Sequence, residues 1–406
     1  MKVVAADSAN STAEASGRRL LADRLRLRFA SGDLGLIPVI IALVVIWIVF
    51  ELINSHFLTG RNISNLILQS VEIGLLGIGE TFILLLGEID LSIAAVSGVA
   101  AAILVLLSSA GVNPWLAIVA SLAAGAVLGV FQGVWVTLVG VPAFIVTLAG
   151  SLGYQGFLLA MLGDAGTVPI ENSTLLGLAT TYVSGVYAWI LALLGVLLYL
   201  WVLLQRRTSR LRYELDRVPD LGSIGARVIA LAVVSALIVL ALNTYRGIPV
   251  AGLVLIALIL VFSYVTQSTR FGRHVYALGG HREAARRAGI RVKHVRIAVF
   301  TLAGVFGAAG GIMGASRLGS ASPASGGGDL LLDSIAAAVI GGTSLFGGRG
   351  SVWNALAGAL VIGSVENGMD LLSAPSSTKY LVEGGILLVA VTIDTLTRRR
   401  RAKAGR

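Results

Sequence analysis

Four carboxylates, Glu72, Glu80, Glu88 and Asp90, fall in or just past an apolar stretch at 66–87. A carboxyl in such surroundings is costly unless it faces protein or water. Groups of this kind therefore carry protons, line a path or pair with a cation. Glu72 and Glu80 are eight residues apart, about 80° around a helix, which puts them near one stripe. Glu88-Ile89-Asp90-Leu91-Ser92 stands at the junction of two apolar segments. It reads either as a broken helix, with Asp90 or Ser92 capping the next start, or as an ordinary short loop. A glycine-dense run at 341–351 contains Thr343 and Ser344 and cannot continue a stable helix. It precedes an apolar span as 87–96 does, which hints at two related halves.

A second kind of chemistry is carried by charge. The stretch 272–296 holds Arg273, Arg282, Arg286, Arg287, Arg291, Lys293 and Arg296 against a single acid, Glu283. Its centre, Arg-Glu-Ala-Ala-Arg-Arg-Ala at 282–288, is made of strong helix formers, and Gly289 follows as a C-cap signal. The stretch reads as a loop in water containing a short helix that ends at a glycine.

The elements that must position these groups follow from composition. Of 406 residues, 56% are hydrophobic and 13% charged, against about 25% charged in a soluble domain. The chain reads as all-α, a polytopic transmembrane helical bundle. At about 20 residues per span, apolar segments fall at 36–53, 66–87, three between 91 and 163, 188–204, 228–242, 250–266, 297–313, 331–346, 353–369 and 380–395. That gives about twelve spans, within a range of ten to twelve. The charge-free run from 91 to 163 is divided by weak breaks at Gly111 to Pro114 and at Gly140 to Pro142. Its middle piece carries Gly125, Gly129 and Gly133, a row that lets helices pack closely.

Alternating the spans from a cytoplasmic N-terminus places all but Arg61, Arg246, Arg317 and Lys379 of the 31 Lys and Arg residues on the inside. The positive-inside rule thus expects both termini, the 206–227 loop and the 282–288 helix to face the cytoplasm. The basic N-terminal segment, 1–33, is expected to lie there, with 20–29 on the membrane surface. The first span reads as a retained anchor rather than a cleaved signal. The loop at 316–329 reads as a flexible outer linker or as a contact for a partner outside.

Several classes are excluded. The net charge of +10 is explained by inside loops, and no basic globular module for nucleic acid is present. There are no cysteines, and the four histidines, His56, His274, His281 and His294, lack metal-site spacing. The pattern G-x-x-x-x-G-K-[ST] is absent, so ATP would have to be handled by another chain. No cofactor or metal is expected.

The residues 272–296, Ser316-Arg317-Leu318-Gly319 with Ser322-Pro323, 333–344 and Glu366-Asn367-Gly368-Met369 together resemble the membrane permeases of bacterial sugar ABC importers, and within them the xylose type. The Glu88–Ser92 stretch looks like that family's G-G-I-D-L-S segment, with Glu88 in place of the second glycine. Phe144-Ile145-Val146-Thr147-Leu148 also looks familial. The resemblance implies an importer that translocates a monosaccharide, xylose or a related pentose. It implies one permease unit at 34–396 with a coupling loop at 267–296 and a basic tail at 397–406. It implies that Arg282, Glu283, Ala284, Ala285, Ala288 and Gly289 dock on an ATP-binding subunit. A sugar-binding protein outside, a second permease copy and membrane lipid would be the other partners, in the inner membrane. Candidates for the translocation path are then Glu88, Asp90, Ser92, Thr343 and Ser344. The competing expectation is a proton-coupled secondary transporter working through the intramembrane carboxylates.

Overall fold

The computed structural model describes residues 36–213 and 218–403. The N-terminal segment 1–33 and the last residues of the tail lie outside the described residues. Fifteen α-helices are present among the described residues, and the only strands there are four of two residues each. The protein is a polytopic helical bundle.

Helices stand at all twelve predicted positions. They are α1 (Ile37–Ile53), α2 (Gly60–Leu85), α3 (Ile93–Ser109), α4 (Pro114–Val134), α5 (Ala143–Leu162), α7 (Val186–Arg212), α8 (Leu221–Asn243), α9 (Val250–Ser268), α12 (Val292–Leu318), α13 (Leu330–Ile340), α14 (Val352–Leu371) and α15 (Ser376–Lys403). Between them lie α6 (Ser173–Thr180), α10 (Arg270–Gly280) and α11 (Arg282–Arg287). Seven helices, α2, α4, α5, α7, α8, α9 and α12, are long and apolar enough to cross a membrane. α1, α3 and α13 are apolar but shorter.

The breaks have local causes. α2 starts earlier than its apolar run because Thr59 caps it, accepting the Asn62 N–H and satisfying one of the orphan donors of the first turn. α4 begins at Pro114 behind Asn113, whose side chain accepts the Trp115 N–H. It ends in a π-turn at Trp135–Val139, closed by Gly140 at φ 86°. The predicted span at 331–346 stops at Ile340. Gly341 and Gly342 follow, with Gly342 at φ 107°, and the eleven residues of α13 reach only about 16 Å. It is therefore a half-span against a core about 30 Å thick.

α2 and α12 form the centre. α2 is buried on nearly every side, including at Ser64, Ser70, Glu80 and Thr81. α4 lies against α12 through the predicted glycine row. A Cβ on Gly125 would meet the Gly304 carbonyl at 2.4 Å, and one on Gly129 the Phe300 carbonyl at 2.3 Å. The backbones touch there because no side chain intervenes. α14 is fixed to α2 by Asn62, which donates to Asn367 at 2.7 Å, and to α1 by Trp47, which donates to Ser364 at 2.9 Å. α7 and α8 are mostly exposed, as expected where the surroundings are lipid rather than water. Two antiparallel strand pairs clip the loops. β1 (Val168–Pro169) runs beside β4 (Ser320–Ala321), and β2 (Tyr182–Val183) beside β3 (Ile248–Pro249).

Candidate functional site

Two regions at opposite ends of the bundle carry polar groups in unusual settings. The first is built where helices break. α10 is capped by Thr269, which accepts the Gly272 N–H at 3.3 Å, and it lies across the end of α2. A Cβ on Gly279 would stand 1.7 Å from the Leu85 carbonyl, so α10 and α2 meet backbone to backbone. The Leu85 carbonyl also accepts the Gly348 N–H at 2.9 Å. Tyr276 on α10 donates to the Gly350 carbonyl at 2.8 Å. A Cβ on Gly347 would lie 2.9 Å from the Gly87 nitrogen. The break after α2, the glycine loop after α13 and α10 thus converge on one point.

α11 follows α10 directly. His281 caps it, its Nδ1 accepting the Ala284 N–H at 3.2 Å. Glu283 lies in its first turn and Arg286 and Arg287 in its last, in the sense that favours the helix dipole. Gly289 ends the turn at φ 83°, a backbone state glycine takes without strain. Arg282, Glu283, Ala284, Ala288 and Gly289 are exposed. Ala285 is buried within the core cluster that also holds Leu85 and Ile93.

Behind this junction lies a buried polar chain. Arg296 of α12 pairs with Glu88 at 2.5 Å and donates to the Val136 carbonyl at 3.3 Å. Val136 belongs to the last turn of α4, whose carbonyls lack helical partners, so Arg296 ties α12 to both the α2–α3 break and the foot of α4. Arg282 of α11 is near enough for its charge to act on Glu88. One step further in, Asp90 accepts both the Ser92 N–H at 2.8 Å and its hydroxyl at 2.6 Å. Ser92 in turn accepts from Gln132 at 2.5 Å. It is Asp90, not Ser92, that holds the start of α3, since Ser92 makes no side-chain cap bond. Glu80, fully buried on α2, has no hydrogen-bond partner among the described residues for either carboxyl oxygen.

The second region is a cavity of about 220 Å³ at the other end, between α2, α3, α12, α13 and α14. Its polar lining includes Gln69, Glu72, Ser97, Arg317, Asp333 and Glu366. Arg317 stands 3.7 Å from Glu72. The room exists because α12 presents glycine there: a Cβ on Gly314 would fall 2.3 Å from the Glu72 carboxyl.

The family model described as branched-chain amino acid transport system / permease component matches residues 62–391. The chain belongs to this permease family. It is 38% identical over 381 residues to the xylose transport system permease protein XylH of Haemophilus influenzae, covering 92% of this chain and 99% of that one. The XylH of Escherichia coli (strain K12) is 36% identical over 353 residues, with 86% and 88% covered. The ribose import permease protein RbsC of Bacillus subtilis is 30% identical over 354 residues, with 87% and 91% covered. No solved structure matches the chain. As a permease component, the protein is the membrane part of a transport system.

In this permease the five path candidates do not line the cavity. Glu88, Asp90 and Ser92 lie in the buried chain near α11. Thr343 is buried and accepts from Asn354 at 3.3 Å. Ser344 holds its turn, its N–H donating to the Arg349 carbonyl at 2.9 Å. The structure does bring the two breaks that hold them into contact. Among the six docking candidates, Ala285 is set apart, because a helix this short must turn one residue inward to pack. Sequence reasoning passed over Arg296 as one more loop cation, and passed over Arg317, Asp333 and Glu366. The available signal was that each is a charge inside or beside an apolar run, and Arg317 one of the few cations off the basic side.

Proposed function

We propose that this chain is the membrane-spanning subunit of an ATP-driven importer that moves a monosaccharide, xylose or a related pentose, across the cytoplasmic (inner) membrane. The observation that carries this reading is identity along nearly the whole chain to proteins named as xylose transport system permeases. The chain has no phosphate-binding loop of its own, so an ATP-binding subunit supplies the energy. A sugar-binding protein delivers the substrate from outside, and a second copy of the permease completes the path. Both termini face the cytoplasm, together with α10 and α11.

The geometry supports a coupling role for α11. Arg282, Glu283, Ala284, Ala288 and Gly289 form the docking surface for the ATP-binding subunit, and Ala285 anchors the helix to the core. The exposed alanines admit a close partner, and the arginines suit an acidic groove. Motion of α11 passes through α10, which touches the ends of both helix breaks. The cavity holding Gln69, Glu72 and Ser97 then lies on the outer side, where an uncharged polyol finds hydrogen-bonding groups.

The test is affinity purification of the tagged chain from its native membrane, alongside a Glu283→Arg, Ala288→Glu variant. A nucleotide-binding subunit is expected with the original chain and not with the variant, at equal Tm of the two permeases. A chain that comes down alone, or with a partner indifferent to the variant, would overturn the coupling role.

A further inference from the structure

At the end of the bundle away from α11, Asp329, Asp333 and Glu383 each bring a carboxylate oxygen to within 4.8 Å of the others. Asp329 immediately precedes α13, Asp333 lies in its first turn, and Glu383 is near the start of α15. Asp333 is 3% exposed and Glu383 7%. Glu383 Oε1 has no hydrogen-bond partner among the described residues, so a carboxylate of the cluster keeps a buried acceptor unsatisfied. Such a group costs far more than one that is paired.

The nearby cations are already engaged. Arg317 pairs with Glu72 and Lys379 with Asp370. None of the three carboxylates has an ion pair among the described residues. Glu366 adds a fourth acid whose charge acts on Asp333. Like charges this close, away from bulk water, repel strongly, and the arrangement calls for a positive centre. Carboxylate oxygens are hard ligands. Two of them on one Ca²⁺ at about 2.4 Å can stand up to about 4.8 Å apart, and Ca²⁺ tolerates irregular geometry where Mg²⁺ demands an octahedron. The remaining ligands would be waters, for which the adjoining cavity has room: Asp329 and Asp333 also line it.

We propose that Asp329, Asp333 and Glu383 form a calcium-type divalent cation site that fastens the start of α13 to α15 beside the polar cavity. The cation replaces mutual repulsion by shared coordination and fixes the outer end of the half-span. The site is independent of which solute is carried.

The experiment uses the full-length permease in lipid nanodiscs, stripped with EGTA and titrated with CaCl₂. Binding is followed by calorimetry and unfolding by intrinsic fluorescence. One saturable site per chain is expected, with a Tm rise of several degrees at saturation. Asp333→Asn and Glu383→Gln should each weaken binding at least tenfold, and Glu171→Gln, an exposed acid away from the cluster, should not. If Asp333→Asn does not fold, Asp329→Asn at the half-buried position takes its place. Absence of saturable binding overturns the proposal, and so does binding unchanged in the cluster variants. A Tm rise reproduced by NaCl at equal ionic strength would mean charge screening only. A rise on acidification with none on adding calcium would mean that shared protons hold the cluster, which also overturns it.

Discussion

Arg296 joins three elements through one guanidinium: α12 that carries it, the α2–α3 break through Glu88, and the foot of α4 through the Val136 carbonyl. Truncating one partner of a buried pair leaves the other charge without compensation, a loss of about 3–5 kcal/mol, whereas replacing both by apolar groups is often nearly neutral. Arg296→Met alone should therefore lower the Tm of the purified permease sharply. Glu88→Leu with Arg296→Met should recover most of it, and a double variant no better than the single one would refute the pairing. A second residue acts in water. Asp220 caps α8 by accepting the Ser223 N–H at 3.0 Å, and that bond holds its carboxyl below the usual carboxylate range. Because the folded value is depressed, the contribution is present above the ordinary Asp value and disappears as pH falls through the folded one. Protection of the Ser223 amide, measured against the intrinsic exchange rate at each pH, should fall in acid in the original chain. In Asp220→Ala it should already be low at neutral pH and lose that acid dependence.

Among the elements, α10 is the piece whose fit leaves least room. The Leu85 carbonyl occupies the place where a Cβ on Gly279 would stand, and a backbone atom cannot swing aside. Gly279→Ala should cost more than the usual 1–3 kcal/mol of an overpacked contact and push α10 off α2. Sugar uptake should fall even where membrane levels stay normal; unchanged uptake would show that the contact is not needed for transmission. Ala285→Glu should lower Tm, while Ala284→Glu, one residue away and exposed, should leave Tm alone and weaken partner binding. These contrasts mark what could be read from the chain and what could not. Runs of apolar residues placed a helix at every predicted span, and Thr59 and Pro114 show why the true starts differ by a few residues. The short helix at 282–287 was legible because its formers, acidic start and terminal glycine are neighbours in sequence. The cavity was not, since Glu72, Arg317, Asp333 and Glu366 come from four helices and only packing makes them one wall. The inward turn of Ala285 was hidden for the same reason, as Ala284 and Ala285 are chemically identical.

At the scale of the whole molecule, polarity is sorted end to end. Arg282, Arg286 and Arg287 gather at the α10–α11 end, whereas Asp329, Asp333, Glu366 and Asp370 gather at the other. That asymmetry matches a permease that meets its energy source on one side and its solute on the other. Uptake driven by this permease should persist under a protonophore while ATP is held constant, and should stop when ATP is depleted with the proton gradient intact. The opposite pattern would restore the carboxylates, Glu80 first among them, to the role of proton carriers.

The brevity of α13 also governs how the protein is made. Eleven residues with an acid, Asp333, in the first turn form a poor insertion signal, since a spanning helix needs about 20 apolar residues. The segment packs against α2, some 250 residues upstream in the chain, and against α14, which the ribosome has not yet delivered when α13 emerges. α13 must therefore wait at the membrane until α14 arrives and then enter as a pair onto a finished groove. A chain truncated just after Ile340 and released from the ribosome should leave that segment outside the bilayer, open to protease. One truncated after Leu371 should protect it.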